Sequence, residues 1–383
     1  MPVSALPRSE FPVANNLVYL NHAATGVLPR CTREAIETFA RAQSERGVAG
    51  SFAYELQMPE YRNQVASFMG ANGDEIAFLR NTSEGANVLS LGIDWKPDDE
   101  IVLCDNEFPA NAIPWLALRS RGVRIRFIET ARERMTPDVL RRTIMPRTRL
   151  VAVSWVSFED GYRHDLGALA EVAHRSSALF VVDAIQGLGV FPIDVRATGV
   201  DALFGGGQKW MLALQGIAYL YLRADLRDRL RLGSPGWRSM GNIWDFLNYD
   251  QPQARDTSRF EGGTPNFLGA LSLATSTELL RRYDAHAIAS HVLALTDHLV
   301  EGLQRWGATI LTPRGPGISS GIVTFLIPGT DPVELGKMLQ QEGIVTTYRP
   351  GGIRVSPHGY NTIDEIDRLL SSLEVVRAAA ARS

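Results

Sequence analysis

The sequence predicts an α/β fold, with a mostly parallel sheet flanked by helices and a smaller C-terminal α/β domain after it. Three observations carry this. Short apolar runs alternate with helical patterns between residues 75 and 222. Residues 231–265 then change to Gly, Pro, Trp, Asn and Asp. Strand and helix patterns resume beyond residue 265. Such alternation builds a parallel sheet covered on both faces.

The strand runs, in order, are Glu75-Ile-Ala-Phe-Leu, Ile101-Val-Leu-Cys, Arg124-Ile-Arg-Phe-Ile, Leu150-Val-Ala-Val-Ser, Leu179-Phe-Val-Val-Asp, Ala202-Leu-Phe and Gly216-Ile-Ala-Tyr-Leu-Tyr-Leu. Helical patterns such as Asp165-Leu-Gly-Ala-Leu-Ala-Glu-Val-Ala-His lie between most of them. The irregular stretch 231–265 reads as a functional loop or a linker. A long helix is expected from residue 267 to 283, continuing past Ala285. The tail adds strands at Gly321-Ile-Val-Thr-Phe-Leu-Ile and Ile353-Arg-Val-Ser, and helices at 332–342 and 363–380.

Bulk properties narrow the class. The 383 residues are 45% hydrophobic and 21% charged, with net charge −3. That balance gives no basic footprint for nucleic acid. Ten arginines between residues 119 and 149 are interleaved with apolar residues and read as a solvated face. No apolar run is long enough to span a membrane, and the N-terminus lacks a signal-peptide core. The two cysteines fit neither a metal motif nor a disulfide framework. Cys104 ends a buried strand, and Cys31 opens a helix. No metal is expected, and a reducing cytoplasm is the default location.

Lysine is scarce, with Lys96, Lys209 and Lys337 against thirty-six arginines. Lys209 lies in Gly205-Gly-Gly-Gln-Lys-Trp, between a glycine run and an apolar segment. Either an arginine-biased composition left it there by chance, or the position needs an amine. An amine can lose its proton and attack a carbonyl; a guanidinium stays charged. Asp183 ends the strand run Phe180-Val-Val-Asp, at the end of an α/β sheet where ligands bind. It is either a helix cap or an anionic partner for a protonated ring nitrogen. Pyridoxal 5′-phosphate (PLP) needs both groups, a Schiff-base lysine and an acid at its pyridine nitrogen. Gln186, three residues on, is placed to reach the phenolic oxygen. Arg80-Asn-Thr-Ser-Glu-Gly follows a strand and opens a helix, so Thr82 and Ser83 mark either a plain N-cap or a phosphate site.

These segments, in this order, resemble the class V aminotransferase family of fold-type I PLP enzymes. That family includes cysteine desulfurases, selenocysteine lyases, kynureninases and isopenicillin-N-epimerase-like proteins. The likeness runs from Tyr19-Leu-Asn-His-Ala-Ala to Tyr360-Asn-Thr. Val182-Asp-Ala-Ile-Gln-Gly is similar to the pyridine-nitrogen motif and Gly205-Gly-Gly-Gln-Lys-Trp to the Schiff-base motif. Arg259-Phe-Glu-Gly-Gly-Thr-Pro-Asn is similar to a segment that reaches the partner subunit's cofactor phosphate. Arg354-Val-Ser-Pro-His-Gly-Tyr-Asn-Thr is similar to the segment that carries the substrate-carboxylate arginine. The resemblance implies Lys209 as the catalytic Schiff-base lysine, Asp183 on the pyridinium and Gln186 on the phenolic oxygen. It implies Thr82, Ser83 and Gln208 on the phosphate, with Thr264 added from the other chain of a homodimer that shares its active sites. Phe108 would stack on the ring, and Arg354 would clamp the substrate carboxylate. Asn21 and His22 are expected at the substrate. The expected division is an N-terminal arm, 1–20, packing on the small domain; a large PLP-binding domain, 21–260; and a small C-terminal domain, 261–383.

The sequence also departs from the desulfurase pattern. Thr346-Thr-Tyr-Arg-Pro-Gly-Gly-Ile, just before Arg354, is short and lacks the persulfide-forming cysteine. Phe108-Pro stands in place of the ring-stacking histidine, Phe158 in place of a polar amide, and Gly206-Gly where a serine often precedes the lysine. Trp155, Trp210 and Trp237 are either pocket aromatics or core. His22 and His358 are either acid/base groups or structural. The expected function is PLP chemistry at the α-carbon of a small amino-acid-like substrate. A lyase of the β-elimination or C–S cleaving kind is favoured. An aminotransferase, an epimerase or racemase, and a catalytically silent PLP-binding protein remain open.

Overall fold

A computed structural model describes residues 4–380 of the chain. The first three residues of the expected arm and the last three of the expected small domain lie outside the described residues. Among the described residues thirteen strands form three sheets. They are β1 (Val18–Tyr19), β2 (Ile76–Leu79), β3 (Glu100–Cys104), β4 (Arg124–Ile128), β5 (Thr148–Ser154), β6 (Leu179–Asp183), β7 (Ala202–Gly206), β8 (Ala218–Leu222), β9 (Thr309–Ile310), β10 (Val323–Leu326), β11 (Ile344–Val345), β12 (Thr347–Arg349) and β13 (Gly352–Val355).

The main sheet has the order β2-β8-β7-β6-β5-β3-β4. Only β8 runs against its neighbours; the other pairs are parallel. This is the mostly parallel sheet that the apolar runs imply. Val151, Val153, Phe180 and Val182 face one buried apolar cluster, and Leu150, Ala152, Val181 and Phe204 face another. Burial on both faces explains why these strands read as continuous apolar runs. Glu75 lies just outside β2. Its carboxylate accepts from the Asn72 N–H at 2.8 Å, closing a capping box.

The second sheet, β12-β13-β10-β9, is antiparallel and has its own apolar core. It is tied to the first part of the chain. β1 pairs with β11, the Ala5 and Leu6 N–H groups both donate to Gly359 O, and Asn21 bridges to Ser356. The N-terminal segment therefore holds the hairpin of β12 and β13 beside the main sheet.

One expected element is corrected. The helix from residue 267 does not run past Ala285. It ends as Phe267–Arg281, and a second helix, Ala285–Arg305, begins after Asp284. The Asp284 carboxylate accepts from the His286 N–H at 2.9 Å. An aspartate that satisfies a first-turn amide starts a new helix more readily than it continues an old one.

Candidate active site

In this sheet β2, β3, β5, β6 and β7 all point the same way, and the residues after their carboxyl ends line one cavity of about 450 Å³. Thr82 and Ser83 follow β2, Phe108 follows β3, Phe158 follows β5, Asp183 ends β6, and Gln208 and Lys209 follow β7. The hairpin of the second sheet closes the cavity with Arg349 and Arg354.

Lys209 is held on a tight loop. Gly207 N–H donates to Ile217 O at 2.9 Å, Ala213 N–H to Gly207 O at 2.9 Å, and Leu212 N–H to Lys209 O at 3.2 Å. Leu212 pays for this turn with a φ of 57°, rarely taken by a side chain of its shape. Gly26 packs on the loop so closely that a Cβ there would lie 2.0 Å from Lys209 O. Lys209 Nζ sits 5.6 Å from the centre of the Phe108 ring. Phe158 meets that ring edge-on, with centroids 5.2 Å apart.

Asp183 is buried, and its Oδ1 accepts from the Ile185 N–H at 2.9 Å. Its Oδ2 is equally buried and has no hydrogen-bond partner. Burial pushes this carboxyl well up from the ordinary carboxylate range; the Ile185 N–H opposes the shift and Glu107 adds to it. Burial holds the Lys209 amine well below the usual lysine range, against the pull of Asp183 and with help from Arg354 and Arg349. Burial also lowers Arg354 to about 10, with Arg349 adding to the effect. Arg354 donates through Nη1 to Phe158 O at 2.7 Å and through Nη2 to the Thr347 hydroxyl at 3.3 Å; its Nε has no partner.

The residues present fit PLP. A buried anion with one unsatisfied oxygen suits a protonated ring nitrogen. Asn81 caps the helix Thr82–Gly92 by accepting from the Glu84 N–H at 3.0 Å. The amides of Thr82 and Ser83, at the start of that turn, have no intrahelical acceptor and suit a phosphate. Thr82, Ser83 and Gln208 line the cavity beside them.

Other expected site residues stand elsewhere. His22 is fully buried behind the Lys209 loop. Its Nδ1 bonds Ser356 O at 3.1 Å and its Nε2 bonds the Tyr360 hydroxyl at 3.2 Å, so it does not line the cavity. Burial drives its pKa well below normal. Asn21 also stays outside the lining. Its Oδ1 accepts from the Thr347 hydroxyl at 2.6 Å, which places it behind Arg354. Gln186 is buried, donating to Ala23 O at 3.0 Å and accepting from the Trp210 indole at 2.7 Å. Thr264 is exposed and lines a separate groove of about 540 Å³. Of the three tryptophans, Trp155 and Trp210 are buried and Trp237 packs beside Phe246; none lines the cavity.

Comparison with known proteins decides the family. The sequence matches aminotransferase class-V over residues 18–369. The chain belongs to the aminotransferase class-V family. A probable cysteine desulfurase of Methanothermobacter thermautotrophicus is 29% identical, with 96% of this chain and 97% of that protein covered. The apo structure of a cysteine desulfurase from Thermococcus onnurineus superposes with a TM-score of 0.88 at 28% identity, covering 96% of each chain. The cystine C–S lyase C-DES, solved with its product cysteine persulfide, gives 0.88 at 25% identity over 95% of this chain and 98% of that one. This class V chain is thus a PLP-dependent enzyme with a fold-type I architecture.

The motifs do not mark two residues that line the cavity, or a third that lies beside it. Arg349 lines it, as does the exposed Gln215. Glu107, beside Phe108, accepts from the Ser154 N–H at 2.8 Å and from Asn111 at 2.9 Å. Burial raises its carboxyl. Its position one residue before Phe108, in a strand-end loop, was the available signal. Arg349 carried one too: it sits at alternating strand spacing in the segment that leads to Arg354.

Proposed function

We propose that this class V enzyme is a PLP-dependent lyase that breaks a β-bond, of the elimination or C–S type, in an amino-acid substrate without using a cysteine persulfide. The observation that carries the reading is the chemistry around Lys209. Asp183, Lys209 and Arg354 share one cavity, and neither cysteine lines it. Burial raises both thiols, Cys104 strongly, which suppresses thiolate. The similarity to a cystine C–S lyase supports the same reading.

PLP, when bound, would supply an electron sink for the substrate's α-carbon. The chain supplies the rest. Arg354, pinned by Phe158 O and Thr347, offers its unpartnered edge to the substrate carboxylate and so fixes the α-carbon near Lys209. The Lys209 amine, less basic than a free lysine, holds or takes the α-proton. Asp183 keeps the ring nitrogen protonated through Oδ2. Thr82, Ser83 and Gln208 hold the phosphate, and Phe108 covers the ring. Gln186 is assigned to support Trp210 and Ala23 rather than the phenolic oxygen, and His22 to support the loop rather than the substrate. On this reading Thr264, exposed outside its own cavity, serves the phosphate of a second copy in a cytoplasmic homodimer. The chain divides into arm 1–20, large domain 21–260 and small domain 261–383.

The test is an amino-acid panel in deuterated water. Release of pyruvate or alanine is expected. Deuterium entry at the α-carbon without product would assign an epimerase, and a keto acid without ammonia would assign an aminotransferase.

A further inference from the structure

The cavity holds two guanidiniums where one α-carboxylate needs only one. In the hairpin, Thr347 pairs with Arg354 and Arg349 pairs with Gly352. Side chains alternate along a strand, so Thr347, Arg349 and Arg354 lie on the same face, with Arg349 diagonal to Arg354. Both arginines line the Lys209 cavity, and both line an adjoining one of about 420 Å³ behind Phe158.

None of the carboxylates near them pairs with either arginine. Among the described residues Arg349 and Arg354 form no ion pair. Asp160 of the adjoining cavity is taken by Arg134 at 2.6 Å. Glu159 lines that cavity but pairs with neither arginine, and Asp183 faces the cofactor end. Arg354, only 7% exposed, keeps an unpartnered Nε. Arg349 is close enough to depress both Arg354 and Lys209. A substrate with a single carboxylate engages the buried Arg354 and leaves the exposed Arg349, on the same face of the hairpin, without an anion.

We propose that Arg349 and Arg354 together form a dianion site, and that the substrate is an α-amino acid whose side chain carries a second anionic group: a carboxylate, a sulfinate or a phosphate. This rests on the reading of Arg354 as the α-carboxylate clamp. Arg349 then acts as the specificity residue.

The test uses PLP-loaded enzyme and unreactive acids, read by calorimetry. Succinate should bind roughly 10-fold tighter than butyrate, the scale of one charge-assisted contact. Arg349→Gln should bring the two within about 2-fold of each other by weakening succinate alone, and Arg349→Lys should keep part of the preference. Among substrates, KM for aspartate, cysteine sulfinate or O-phosphoserine should rise in Arg349→Gln, while KM for serine stays put; the acid most affected identifies the anion. Equal binding of succinate and butyrate by the wild type overturns the proposal. So does an Arg349→Gln variant that weakens both acids alike, or one that only disturbs assembly. Butyrate binding that survives Arg354→Gln would instead remove the carboxylate clamp itself, a separate failure.

Discussion

The two sides of the Lys209 loop are built from similar polar residues and are finished in opposite ways. Behind the loop, His22, His358, Trp210 and Gln186 all have partners. His22 bonds Ser356 O and the Tyr360 hydroxyl. His358 accepts from the Gly359 N–H at 2.7 Å and bonds Trp210 O at 3.0 Å. The Trp210 indole bonds Gln186, and Gln186 bonds Ala23 O. In front, Asp183 Oδ2 and Arg354 Nε are buried without partners, and Arg349 has no counter-ion among the described residues. An unmade buried hydrogen bond costs about 1–3 kcal/mol, more for a charge. The rear therefore reads as a completed support, and the front as a surface whose partners arrive with cofactor and substrate.

The contrast can be broken on the front side first. Asp183→Asn keeps the shape of the side chain and removes the buried charge. It should cost on the order of 100-fold or more in kcat, the scale of losing a preorganised charge in a site. The thermal midpoint should hardly change, because the deleted charge has only the Ile185 N–H to satisfy it. Steady-state kinetics beside a melting curve reads both, and a stability loss without a rate loss would reverse the assignment.

On the rear side, His358→Ala should act the other way. It strips the Gly359 N–H and Trp210 O of their partner and leaves a void. A loss of roughly 2–4 kcal/mol in urea unfolding is expected, with a smaller fall in rate per folded molecule. A rate collapse at unchanged stability would place His358 in the chemistry.

A smaller effect should come from acid. Burial lowers His358 and His164 to about 4 and moves His22 in the same direction. The unfolded imidazoles protonate near roughly 6.5, and the folded ones resist. Stability from this neutral packing is thus complete above that value. It should decline as the pH falls towards about 4, the value of the buried rings. Unfolding midpoints across that window test the sign; a flat profile would mean that the rings protonate in place.

How legible these two sides were in the sequence differs for a physical reason. The strands of the main sheet were readable because burial on both faces leaves unbroken apolar runs such as Leu150-Val-Ala-Val-Ser. The strand ends then put Asp183, Lys209 and Thr82 near one another, since parallel strands deliver their carboxyl ends to one edge. The second sheet hid more. That Arg349 shares a face with Arg354 depends on the register of a short hairpin, which a few polar residues do not fix. Asn21 and His22 sit next to each other in the chain, yet one backs Arg354 through Thr347 and the other is sealed behind Lys209. Only the pairing of the N-terminal segment with β11 and with Ser356 decides that. The break at Asp284 leaves no mark in the apolar spacing, which continues across it, and its cap is a single side chain.

The central claim is that Lys209 is the residue to which PLP is bound. The scarcity of lysine makes it unusually direct to test, because Lys96 and Lys337 are the only rivals and both lie in exposed ion pairs, with Asp94 and Glu334. Holoenzyme reduced with borohydride and mapped by peptide mass should carry the phosphopyridoxyl group on the peptide containing Lys209 and on no other. The same mass on the Lys96 or Lys337 peptide, with Lys209 unmodified, would contradict the account.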